Sequence, residues 1–105
     1  MAFPCNQFGM QEPGTNEQIK AFAKSRGFTG DLMDKIDVNG PGQHPVYKWL
    51  KEQSGDEKDI DWNFAKFLVR PDGTVYGRYN SNWFPNALRP MIDTILEEAE
   101  NIAEL

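Results

Sequence analysis

Apolar and polar positions alternate along this chain in a way that predicts three helices, two short strands and a hairpin. Between Thr15 and Gly27, residues Ile19, Phe22 and Ala23 recur on one helical face. Thr15 is placed to cap that helix, with Gln18 in capping-box spacing, and Gly27 suits the residue just past its end. Pro45 suits the first turn of a second helix whose apolar face is Val46, Trp49 and Leu50, ended by Gly55. A third begins near Leu88 and tolerates Pro90 in its first turn. Met91, Ile92, Ile95, Leu96, Ala99, Ile102 and Ala103 form its stripe, with Glu97, Glu98 and Glu100 between them. Phe64–Val69 and Thr74–Tyr79 flank Pro71-Asp72-Gly73, a hairpin signal.

Met1-Ala2-Phe3 reads as the end of a buried strand stopped by Pro4, and Lys35–Val38 as a second short strand. The Asn, Gln and Gly between Asn6 and Gly14 predict a loop, and Asn39-Gly40-Pro41-Gly42 a turn. Phe28–Asp34 reads as irregular, and the charged stretch Asp56–Asp61 as a solvated connection. The order of strand, helix, strand, helix, hairpin and helix predicts an α/β sandwich with an antiparallel edge, compatible with a thioredoxin-like arrangement. No repeat or internal boundary interrupts residues 1–105, so one domain is expected.

Composition narrows the function. With 39% hydrophobic and 26% charged residues the chain is of globular type. A net charge of -5 leaves no basic face for phosphates, so nucleic acid is not an expected partner. One cysteine excludes an internal disulfide, and one histidine beside it leaves no Cys/His zinc site; no metal or cofactor is expected. The apolar runs are too short to span a membrane, and no leader is evident, so the expected location is cytoplasmic.

The blocks Phe3-Pro4-Cys5-Asn6-Gln7-Phe8-Gly9, Gln11-Glu12-Pro13-Gly14, Asp37-Val38-Asn39-Gly40, Trp62-Asn63-Phe64, Lys66-Phe67-Leu68-Val69 and Arg78-Tyr79 resemble the glutathione peroxidase family in order and spacing. The resemblance covers nearly the whole chain. It implies a thioredoxin-like α/β fold lacking its N-terminal strands, with residues 1–105 as the C-terminal portion of one domain. It also implies reduction of hydrogen peroxide and of organic or lipid hydroperoxides, as in the response to oxidative stress. The family's peroxidatic cysteine or selenocysteine lies upstream of the Phe3-Pro4-Cys5 block, so Cys5 is not the expected nucleophile. It reads instead as a small buried apolar residue. The chain by itself is therefore expected to be inactive. Glu17–Asp34 holds no resolving cysteine, which favours a glutathione-type thiol as reductant. The short connection Ser54–Asp61 resembles the monomeric phospholipid-hydroperoxide branch.

Gln11, Trp62 and Asn63 match family positions around the nucleophile. Two amides and an indole offer neutral N–H donors that stabilise developing negative charge without adding a rival charge. The resemblance implies that the three converge on one patch. Taken singly, Trp62 reads as a core aromatic, Gln11 as a loop residue and Asn63 as a turn residue. His44 matches no catalytic position. Lys48, Lys51, Lys66 and Arg78 read as scattered surface cations within reach of an anionic thiol. The competing readings are a non-catalytic thioredoxin-like module that binds a partner or glutathione, and a fragment without function. Missing strands would bare an apolar edge, so marginal stability or self-association is expected, with Ile92, Ile95 and Leu96 packed on a weakened sheet.

Overall fold

The computed structural model describes residues 1–103. It resolves two compact units, Met1–Tyr47 and Lys48–Leu105.

In the first unit the helix α1 spans Asn16–Ser25. Thr15 caps it: its hydroxyl accepts the Gln18 N–H at 3.2 Å, and the Gln18 side chain accepts the Thr15 N–H at 3.0 Å. The helix closes by a Schellman arrangement. Gly27 N–H donates to Lys24 O at 3.1 Å and Phe28 N–H to Ala23 O at 3.0 Å, with Gly27 at φ +85°. Of the expected apolar face only Ile19 is buried; Phe22 is 62% exposed under the Arg26 guanidinium.

The two short strands expected in this unit are isolated bridges. Ala2 pairs with Leu32 and Asp37 with Gln43, both parallel. The N-terminal segment makes three backbone bonds, Ala2 N–H to Asp31 O, Met33 N–H to Ala2 O and Ile36 N–H to Pro4 O. Pro4 has no N–H to continue the ladder. Residues 1–5 are exposed or half-buried rather than core. In the second case the Val38 and Asn39 amides are taken by the Gln7 side chain, which leaves no ladder to extend. The core of this unit is Phe8, Ile19 and Val38.

Helix α2 spans Pro45–Ser54. His44 Nδ1 accepts the Val46 N–H at 3.1 Å and so caps it. Gly55, at φ +80°, ends it as expected. Leu50 is buried, but Val46 and Trp49 are about two-fifths exposed.

In the second unit β1 (Lys66–Val69) and β2 (Val75–Tyr79) form an antiparallel hairpin. A bulge between Leu68 and Val69 shifts the register from Leu68↔Gly77 to Val69↔Val75. Asn80–Phe84 leads into a 3-10 turn at Pro85–Leu88, which continues into α3 at Arg89–Ala103. Leu50, Ile60, Leu88 and Ile95 make up the core of this unit. Ile92 and Leu96, expected to cover the sheet, are 41% and 53% exposed; Ile95 alone of the three is buried. The expected side-chain positions of Ile102 and Ala103 lie outside the described residues. Among the described residues no helix is long and apolar enough to cross a membrane.

Candidate functional site

Gln11 follows a tight loop in the first unit that its neighbours build. Gly9 and Met10 both take positive φ, +64° and +51°, and reverse the chain. Asn6 Oδ1 accepts the Glu12 N–H at 2.9 Å, which closes the loop across Gln11. Lys35 Nζ donates to Glu12 O at 3.1 Å and Gly14 O at 2.7 Å. The far side of the loop is thereby tied to Lys35, while Gln11 itself is exposed.

Gln7 performs a function that its place in a predicted loop does not reveal. Its Oε1 accepts the Val38 and Asn39 N–H groups at 2.7 and 3.1 Å, and its Nε2 donates to Asn39 O at 3.0 Å. One amide thus clasps the Cys5–Gln11 segment to the Asp37–Gly40 turn. The available signal was residue type: Asn and Gln in loops bond to backbone. Cys5 is half-buried rather than buried, and its thiol lies 3.5 Å from both the Gln7 N and Oε1. Tyr47 stacks edge-on against Phe3 at 5.5 Å. Burial, and secondarily Cys5, push its phenol above the ordinary value.

Trp62 and Asn63 share one bend in the second unit, Trp62 46% exposed and Asn63 half-buried. Trp62 is therefore not the core aromatic that its type alone predicts. The bend lies between buried Ile60 and Phe64, which takes φ +63° with its ring 81% exposed. A bulky side chain in that backbone region costs about 1–2 kcal/mol, so the surrounding chain must enforce it.

The expected solvated connection is instead held to the hairpin. Arg78 Nη1 donates to Asp56 O at 2.7 Å and Lys58 O at 2.8 Å, and Nη2 to Asp59 O at 3.0 Å. Its side chain is only 14% exposed, so it is not a surface cation. Lys51 is also buried, against the same expectation. Burial holds its ammonium below the ordinary lysine value, opposed by Asp59 and reinforced by Arg78. Lys66, half-buried, donates to Trp83 O at 2.6 Å. Among the described residues no group of three or more His, Cys, Asp or Glu could hold a metal ion. Gln11, Trp62 and Asn63 each carry a neutral side-chain N–H donor.

A family model described as glutathione peroxidase matches residues 1–51. A Chlamydomonas reinhardtii protein named glutathione peroxidase 1, mitochondrial, is 62% identical over 95 residues, 88% of this chain and 47% of that protein. A Synechocystis protein named hydroperoxy fatty acid reductase is 44% identical over 105 residues, 91% of this chain and 62% of that protein. A crystal structure of Trgpx in its apo form matches with a TM-score of 0.70 at 38% identity, covering 90% of this chain and 55% of that one. The chain spans about half the length of the first relative and less than two thirds of the second. The solved structure shares the α/β, thioredoxin-like architecture of the part that this chain covers.

Proposed function

This chain belongs to the glutathione peroxidase family, and on that basis we propose that it supplies the N–H donors of a hydroperoxide-reducing site. The reaction begins when a thiolate or selenolate attacks one oxygen of an O–O bond. The bond breaks, and the second oxygen leaves as alkoxide or water. Gln11, Trp62 and Asn63 are read as donors to the charge that develops. Neutral donors suit a site whose nucleophile must itself be an anion. The observation that carries this reading is the built Trp62–Asn63 bend, half open to solvent and followed directly by the strained backbone of Phe64.

In this reading residues 1–105 are a portion of a single domain, and the nucleophile is not Cys5. The Cys5 thiol sits against Gln7, donating to its Oε1 and accepting its backbone N–H, both at 3.5 Å. The substrates are hydrogen peroxide and organic or lipid hydroperoxides, with a glutathione-type thiol as reductant. The name of the Synechocystis relative supports the lipid class. We take the whole protein to be a monomer in the cytoplasm. The Chlamydomonas relative is named for the mitochondrion, and a fluorescent fusion of the whole protein separates the two locations.

The test is a chimera joining the N-terminal part of the Chlamydomonas relative, the part this chain does not match, to residues 1–105. We expect peroxide turnover with glutathione that survives Cys5→Ser. Trp62→Phe, Asn63→Ala and Gln11→Ala should each lower kcat, by up to on the order of 10²-fold for a donor aimed at the developing charge. A chimera that folds but reduces no peroxide sinks this reading and leaves the binding module.

A further inference from the structure

We propose that Arg78 is the positioning residue for the Trp62–Asn63 bend, a role that rests on reading those two side chains as donors. Residues 56–59 have no regular secondary structure, so their carbonyls need partners from elsewhere. Arg78 supplies three of them from β2, at 2.7, 2.8 and 3.0 Å. Its own place is fixed twice over: it pairs with Phe67 across the hairpin, and its guanidinium lies 5.8 Å from the Phe67 ring centroid. The chain just before the bend is therefore locked to the same sheet that the chain enters after it, at Lys66.

Between those anchors, Ile60 is 4% exposed and Phe64 sits at φ +63°. A short span with both ends held has few ways to close, which is how an exposed phenylalanine is kept in a disfavoured backbone region. The chemistry requires arginine. A planar fork with five N–H groups meets several carbonyls at once, whereas the three hydrogens of a lysine radiate from one nitrogen. The carboxylate of Asp56, 3.7 Å from Nη1, is a looser partner than the carbonyls and contributes less. Lys51, which interacts electrostatically with both Asp59 and Arg78, is a further charged group near the guanidinium.

The experiment compares ¹⁵N spectra of the 105-residue chain with those of Arg78→Lys, Arg78→Gln and Asp56→Asn. In both Arg78 variants the Trp62 indole and the amides of residues 60–63 should shift, and exchange about tenfold faster or more. Resonances of Trp49 and α3 should hold, and Asp56→Asn should reproduce the parent spectrum. In the chimera, Arg78→Lys should lower kcat about tenfold at unchanged KM, the signature of a lost transition-state interaction. Unmoved resonances of residues 60–63 overturn the proposal, whatever the chimera does. So does a change spread evenly over residues 48–103, or an Asp56→Asn effect as large as that of Arg78→Lys. Moved resonances uphold it even where donor-substituted chimeras keep full turnover, the outcome that removes the donor reading alone. If neither Arg78 variant folds, the parent chain decides: backbone order parameters near 0.85 for residues 60–63 uphold the clamp, and values below about 0.6 overturn it.

Discussion

Asp72 Oδ1 accepts the Thr74 N–H at 2.9 Å and the Thr74 hydroxyl at 2.7 Å at the tip of the hairpin. Both bonds favour the carboxylate, and they hold Asp72 below the usual aspartate value. Its contribution is thus fully present above the unfolded-state pKa and is lost as pH falls through the lower folded value. We expect the Thr74 amide to lose protection in that acid window, below about pH 4, and to be steady above it. Asp72→Asn should abolish the titration. A Thr74 resonance that ignores acid in the parent chain would count against the linkage. This turn was legible in the sequence because its parts are two residues apart. Gln7 and Arg78 were not, since their partners are backbone atoms 31 to 32 and 19 to 22 residues away. Residue spacing along the chain holds no record of where a remote carbonyl points.

At the scale of elements, local chemistry and tertiary pairing part company. Helix α1 follows from its own signals: the capping box, the Schellman close and the burial of Ile19. Thr15→Ala should cost about 1 kcal/mol, read as a shift of the urea midpoint at unchanged slope. Retention of the full midpoint would mean that packing alone holds the helix. The two predicted strands depended on neighbours and did not form as strands. Met1-Ala2-Phe3 meets Pro4, and Lys35–Val38 yields its amides to Gln7. The hairpin did form, because Pro71-Asp72-Gly73 brings its own partner strand into register within five residues. Phe64 and Ala65 fall outside β1 since the left-handed backbone at Phe64 cannot continue a strand.

The whole molecule has a thin core for its apolar content. Among the described residues the buried hydrophobics are Phe8, Ile19, Val38, Leu50, Ile60, Leu88 and Ile95, and no side chain is below 2% exposure. Met1, Phe22, Phe64 and Phe84 are each more than three-fifths exposed. At roughly 25 cal/mol per Å², covering a few hundred Å² of such surface is worth several kcal/mol. That is a large fraction of the ~5–15 kcal/mol that holds a domain. We therefore expect the isolated chain to self-associate and to unfold at low urea. Sedimentation equilibrium across a dilution series checks the first, and a urea melt the second. A strictly monomeric sample with an ordinary cooperative melt would show that the exposed surface carries no such penalty. The same preparation should turn over neither hydrogen peroxide nor a lipid hydroperoxide, with glutathione or with thioredoxin; turnover abolished by Cys5→Ser would make Cys5 the nucleophile.

From the sequence by itself came the helices, the hairpin and its turn, the family, and the three candidate donors. Each is written in short spacings or in contiguous blocks such as Gln11-Glu12-Pro13-Gly14 and Trp62-Asn63-Phe64. Only the tertiary structure decided which apolar stripes find cover: Ile95 is buried while Ile92 and Leu96 on the same helix are not. It alone turned the charged Asp56–Asp61 stretch from a solvated linker into a segment bound by Arg78. The physical reason is common to both. Periodicity states which face of an element is apolar, and residue type states which atoms can donate. What lies opposite that face or accepts that donor is set by the path of distant chain, which no local pattern encodes.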